Sequence, residues 1–169
     1  MKELLQQYAA FNHWANEKIT EVILKLDGNT QQQIVASSFP NLYATVLHIW
    51  DAESAWWQRI KLYEKIVLPS ENFNQGMQEV VNGLQQQDRL WEDWISNATL
   101  PALEHVVAYH NSKREQFKQP VFQIILHVFN HCTYHRGQLV TMLRALGVDK
   151  IPPMDFIVWS RKKSHAHYK

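Results

Sequence analysis

The sequence predicts an all-α fold, a bundle of four long amphipathic helices joined by long connections. Two observations carry that expectation: four stretches show an apolar period near 3.6 residues, and each is bounded by turn residues or proline. A third observation is chemical. His127, His131 and His135 recur at every fourth position of the last stretch. Residues four apart on a helix lie ~40° from each other around its axis, so all three imidazoles share one face.

The first helix is expected from Lys2 to Leu26, on a stripe of Leu4, Leu5, Tyr8, Phe11, Ala15, Ile19, Val22 and Ile23, and Asp27-Gly28-Asn29 ends it. Ser37, Ser38 and Pro40 then supply start signals for a second, Asn41 to Lys65, through Leu42, Val46, Ile49, Ala52, Trp56 and Ile60. Pro69 separates this from a third, Phe73 to Ser96, on Met77, Val80, Val81, Leu84, Trp91 and Ile95. Between Leu100 and Pro120 the period changes. His105 to His110 is β-prone, Asn111-Ser112-Lys113 offers turn chemistry, and Glu115 to Lys118 follows, which predicts a short β-hairpin between the third and fourth helices.

The fourth helix is expected from Val121 to Leu146, stopping at Gly147. Pro152-Pro153 breaks the chain before a short apolar element, Phe156 to Trp159, and Ser164 to Lys169 reads as a solvated tail. Neither a repeat nor a dividing linker is visible, so residues 1–169 are expected to form a single domain. The connections from first to second helix and from third to fourth leave room for a topology other than simple up-down.

Composition narrows the function classes. The chain is 46% hydrophobic and 20% charged, which argues against disorder. Its net charge of +1, with no basic stripe beyond Arg161-Lys162-Lys163, excludes broad attraction to nucleic acid. No apolar run has transmembrane length, and no signal-peptide pattern is present, so no membrane partner is expected. A lone cysteine, Cys132, rules out an intrachain disulfide and fits a reducing cytosol; a cytoplasmic enzyme or binding protein is the expectation. Of seven tryptophans, Trp14, Trp50, Trp56, Trp57, Trp91 and Trp94 fall in helical patterns, where core filling is expected and an exposed subset would mark an interface or an apolar cleft.

Divalent ions such as zinc and nickel favour neutral imidazole, and bundles build metal sites from facing helices. Two histidines four apart supply two ligands from one helix, and a third must come from elsewhere. His48, at the border of the second helix's apolar stripe, is the best candidate. Spacing leaves His127/His131 and His131/His135 as equivalent pairs. Gln138 and Met142 continue their face, and Tyr134 flanks it. Cys132 lies ~100° from His131 and Arg136 ~140°, which places Cys132 among small buried residues rather than ligands. Asp51, three residues past His48, is placed to orient an imidazole or act as a base. Glu53, five past it, is expected to be a solvated charge on the helix face. Tyr134 and Gln138 are candidates to polarise a substrate. His13 is expected to be structural, His105 and His110 to lie in the hairpin, and His165 and His167 in the tail.

The run Asn130-His131-Cys132-Thr133-Tyr134-His135-Arg136-Gly137-Gln138, followed by Leu143-Arg144-Ala145-Leu146-Gly147, resembles the fourth-helix signature of the DinB-like metal-binding bundle family. That family is related to thiol S-transferases that use bacillithiol or mycothiol. Weaker similarity runs through Tyr8 to Asn16, Ser37-Ser38-Phe39 ahead of Thr45 to Ile49, and Pro153 to Ile157. The resemblance implies a homodimer with a divalent metal, nickel or zinc, held by His48, His131 and His135, and it makes His127 a residue that supports the ligands or lines the pocket. The activity it implies is thiol S-transfer, with a low-molecular-weight thiol as co-substrate, or hydrolysis of a small molecule. The alternative is a metal- or ligand-binding stress-response protein without turnover, acting as a dimer.

Overall fold

The computed structural model describes residues 1–110 and 113–167, with side chains through Arg161. Seven helices and one hairpin follow in order: α1 (Lys2–Ile23), α2 (Gly28–Gln32), α3 (Leu42–Ile60), a 3₁₀ turn (Pro69–Glu71), α4 (Met77–Asn97), α5 (Leu100–Glu104), β1 (Val106–His110), β2 (Gln116–Pro120), α6 (Val121–Ala145) and α7 (Phe156–His167). The four long helices α1, α3, α4 and α6 form the bundle. α1 and α3 each pack against α4 and α6, so α1 faces α3 across the diagonal.

Helix ends follow local chemistry. Asp27 takes the amides of Asn29 and Thr30 on its carboxylate and starts α2, which shortens α1 from the expected Leu26 to Ile23. Asn41 caps α3 by accepting from the Ala44 amide at 2.8 Å. The same helix stops at Ile60 rather than Lys65, because Leu62 turns into the left-handed region at φ 58°. α4 begins at Met77, later than the expected Phe73. The hairpin is present, with Ala108 opposite Lys118 in an antiparallel register, while Asn111 and Ser112 of its expected turn lie outside the described residues. Helical backbone in α7 continues past Trp159 and through Ser164 to His167, where the sequence suggests a tail.

Two apolar clusters fill the bundle, one at each end. One gathers Ile19 and Ile23 of α1, Leu42, Val46 and Ile49 of α3, Val80, Val81 and Leu84 of α4, and Leu139, Met142 and Leu143 of α6. The other gathers Leu5 and Ala9, then Trp91 and Ile95, then Ile124, Ile125, Val128 and Phe129. The order in which each helix meets the two clusters gives its direction. α1 and α6 run one way, and α3 and α4 run the other. Because α3 and α4 are parallel, the chain must return along the bundle between them, and residues 61–76 make that crossover; the Tyr43 hydroxyl at the start of α3 donates to the Gln75 carbonyl just before α4. The non-up-down topology expected from the sequence is therefore present, but its crossover lies between the second and third long helices.

A layer of buried polar groups separates the two apolar clusters. Asn12 and Asn16 of α1, Glu53 of α3, Asp88 of α4 and Arg136 of α6 are each at most 4% exposed. The Arg136 Nη1 donates to Asn12 Oδ1 and Asn16 Oδ1, both at 2.7 Å. The two asparagine amides in turn donate to both Glu53 Oε1 and Asp88 Oδ1. The Cys132 thiol donates to Glu53 Oε1 at 3.1 Å. Burial raises the pKa of both carboxyls and of the thiol, and the charge of Glu53 raises Asp88 further. Glu53 Oε2 meets no amide, hydroxyl or guanidinium donor among the described residues, yet Glu53 and Asp88 stand close enough to hydrogen-bond each other. Two carboxylates can do so only with a proton between them, and one proton also balances two carboxyls against one guanidinium.

This layer corrects the expectation for Glu53. Its side chain is fully buried and ties α3 to α1 and α6 instead of facing solvent.

Close packing of α3 on α4 rests on Gly83, where an added Cβ would stand 2.3 Å from the Trp50 indole. Gly83→Ala gains helix propensity of about 1 kcal/mol but must displace a ring wedged edge-on against Phe73. Overpacking of this kind costs about 1–3 kcal/mol. Net of the propensity gain, we expect thermal denaturation to show a melting temperature lower by up to about 8 °C.

Candidate metal centre

Antiparallel α3 and α6 bring His48 against His131 and His135. The Nε2 atoms of His48 and His131 are 3.4 Å apart, and those of His131 and His135 are 3.0 Å apart. The ligand atoms of all three lie within 4.8 Å of one another. An ion bonded to imidazole nitrogens at ~2.1 Å holds neighbouring ligand atoms ~3.0–3.4 Å apart for angles between octahedral and tetrahedral. The donor set and two of its three edges therefore fit a divalent ion.

The histidines are also in the protonation state a metal needs. Burial first, and then the neighbouring His135, His48 and His127, push His131 down to about 4. His48 is lowered by burial and His135, with Asp51 pulling the other way, and His135 is lowered by burial against an opposing Gln138. At neutral pH each offers a lone pair instead of a positive charge.

Gln138 orients one of these lone pairs. His135 Nδ1 lies 2.8 Å from Gln138 Oε1, an acceptor only, so the ring proton belongs on Nδ1 and Nε2 is free to ligate. Gln138 is itself fixed by donating to Ser38 Oγ at 2.7 Å. His131 Nδ1, by contrast, is buried without a partner among the described residues.

The loop before α3 closes the other side. Val35 donates to the Pro40 carbonyl, and the turn this makes presents Ser38 to Gln138 and Phe39 to the histidines. Phe39 stacks on His48 at 4.2 Å between ring centroids and sits 5.7 Å from His135. Helical periodicity says nothing about a loop residue, so the role of Phe39 had no signal beyond its place in the Ser37-Ser38-Phe39 run.

The remaining sequence candidates fall around this cluster. His127 lies one turn away, its ring 5.9 Å from His131 and 5.2 Å from Trp56. Tyr134 is 60% exposed, with its ring edge-on to His135 at 5.1 Å. The carboxylate of Asp51 accepts from the Ser70 amide at 2.9 Å, which fastens the crossover to α3; among the described residues no hydrogen bond joins it to an imidazole. Cys132 points into the polar layer, away from the histidines' ligand atoms. His13 pairs with Glu92 at 3.1 Å. His110 lies in β1 and His105 just before it, while the side chains of His165 and His167 are outside the described residues.

Comparison with known proteins gives the family and agrees with the fold. A family model described as the DinB family matches residues 1–163. Protein DinB of Bacillus subtilis (strain 168) is 25% identical over 147 residues, covering 84% of this chain and 86% of its own length. A crystal structure of a DinB-like protein from Bacillus subtilis superposes with a TM-score of 0.67 at 13% identity, over 88% of this chain and 98% of that one. One from Bacillus cereus gives 0.63 at 16% identity, over 82% and 89%. These two structures speak to the fold, and the family model to nearly the whole chain, which belongs to the DinB family.

Proposed function

We propose that this protein is a divalent-metal-dependent enzyme of the thiol S-transferase or hydrolase kind, with His48, His131 and His135 as ligands. The observation that carries the reading is the convergence of three neutral Nε2 atoms from two helices. Three protein ligands leave coordination positions for a small molecule, whereas structural sites close the shell with four. A bound divalent ion, nickel or zinc in this reading, supplies Lewis acidity that lowers the pKa of a coordinated thiol or water towards neutrality.

The protein's own contributions follow from the geometry. Gln138 keeps the His135 proton on Nδ1. Phe39 shields His48 from water on one side. Tyr134 stands exposed at the mouth, where its hydroxyl can hydrogen-bond a substrate. In the same proposal the chain acts as a homodimer in a reducing compartment, a reading supported by the family resemblance and by a buried thiol that stays protonated.

Protein purified without a histidine tag is expected to carry close to one nickel or zinc per chain by elemental analysis, and to rebind it after chelation. A screen pairing low-molecular-weight thiols with electrophiles should then show turnover that depends on the metal. Failure of the stripped protein to rebind any divalent ion would sink the reading.

A further inference from the structure

Beyond the histidines, α3 continues to a cation that has no counter-ion among the described residues. His48, Ala52, Trp56 and Arg59 share one face of α3 at helical spacing. From α6, the His131 ring meets His127, and His127 meets Trp56 of α3. Trp56 then meets Tyr109 of β1 at 4.9 Å, and the Tyr109 hydroxyl donates to Gln119 of β2, so the hairpin closes this end. The Arg59 guanidinium lies 4.4 Å over the Trp56 ring and 5.8 Å from that of Tyr109.

That guanidinium is half-buried and makes no hydrogen bond or ion pair among the described residues. It borders a cavity of about 350 Å³ with Tyr63, Ile66, Ala108, Tyr109 and His110. Glu64 lines the same cavity but is exposed and does not pair with Arg59. The Arg59 charge reaches His127, where it adds to burial in lowering the imidazole's pKa. A guanidinium that lies over the Trp56 ring with no protein acceptor among the described residues has N–H donors to offer, and its fork matches a carboxylate or phosphate with two parallel hydrogen bonds.

We propose that Arg59, framed by Trp56 and Tyr109, is an anion-recognition subsite for the far end of the small molecule whose near end meets the three-histidine cluster. Trp56 is eight residues and Arg59 eleven residues beyond His48, which sets the two ends about 12–16 Å apart along α3. The ligand class is then an elongated thiol bearing a carboxylate or phosphate on a flexible arm of that reach. The thiol part rests on the metal-site reading above, whereas the anion part does not.

Two titrations separate these parts. In the first, metal-free protein is titrated calorimetrically with benzoate and with phenyl phosphate. At least one should bind, and Arg59→Met should weaken it by about 10–100-fold, the range for a hydrogen-bonded charge. Arg59→Lys, which keeps the charge and loses the fork, should fall between. The tighter of the two probes identifies the oxyanion, and circular dichroism checks that both variants are folded. In the second, zinc-loaded protein is titrated with mercaptoalkanoates from mercaptoacetate to mercaptoundecanoate, against mercaptoalcohols of equal length. The long acids should outbind the alcohols in the wild type and lose that advantage in Arg59→Met, while mercaptoethanol binds both proteins alike. Benzoate binding through Arg59 without any thiol binding would keep the subsite and refute the thiol part of the proposed function. Thiol binding indifferent to charge and to Arg59, or no anion binding to the metal-free wild type, would overturn the subsite.

Discussion

Replacing Arg136 by methionine is expected to destabilise the domain by about 3–5 kcal/mol, the cost of leaving buried charge without its partner. For a domain of this size that lowers the melting temperature by about 6–20 °C. The substitution keeps most of the side-chain volume. What it removes is the one cation facing Glu53 and Asp88 among the described residues, together with the two 2.7 Å hydrogen bonds that satisfy Asn12 and Asn16. The loss should carry a pH signature. Without the guanidinium both carboxyls must stay protonated when folded, so their folded pKa values are raised above the unfolded ones. Such groups contribute stability below the unfolded pKa and lose it as pH rises. The difference between wild type and Arg136→Met, measured by urea denaturation, should therefore shrink towards pH 4 and widen towards pH 8. A difference that stays flat with pH would mean the layer holds no titrating carboxyl pair. Taking the difference cancels the histidines, which titrate in both proteins.

How much of this layer was legible in the sequence depends on the residue. Glu53 continues the buried stripe of Val46 and Ile49, Asp88 that of Val81 and Leu84, and Asn12 and Asn16 that of Leu5 and Ala9. Each position was therefore readable as inward-facing from its register, and reading Glu53 as solvated gave its charge priority over its register. That the polar residues meet at one level was not readable, because it depends on which helices run parallel. The crossover over residues 61–76 decides that, and nothing in its composition distinguishes it from the other connections.

The four long helices were readable because an apolar stripe is a property of one segment. The histidine face of α6 was readable for the same reason. The partnership with His48 needed the antiparallel pairing of α3 and α6, and spacing alone left His127/His131 and His131/His135 equal. Phe39 and Ser38 join the cluster from a loop, where no periodic signal links them to it, whereas Arg59 shares the His48 face of α3 at helical spacing but lies eleven residues beyond it.

His131→Ala should lower divalent-metal affinity by more than 100-fold, because it removes the middle ligand, whose Nε2 lies 3.4 Å and 3.0 Å from those of His48 and His135. Gln138→Ala, which removes only the partner that orients His135, should cost about 10–100-fold. Competition titrations against a chromogenic chelator rank the two, and equal losses would mean that His131 is not a ligand. In the wild type the same affinity should be nearly constant from pH 8 to about 6.5 and fall below that, since protons compete only as pH approaches the lowered pKa values of the cluster. The metal-free protein should show a matching trend in stability. His131 is held down to about 4 when folded and returns to ~6.5 when unfolded, so the unfolded chain binds more protons between those values. Stability from this group is therefore complete above pH 6.5 and is lost as pH falls towards 4. A saturating divalent ion, which binds the folded chain and excludes protons from the cluster, should raise the melting temperature at pH 7.5 and do so progressively less as the pH is lowered.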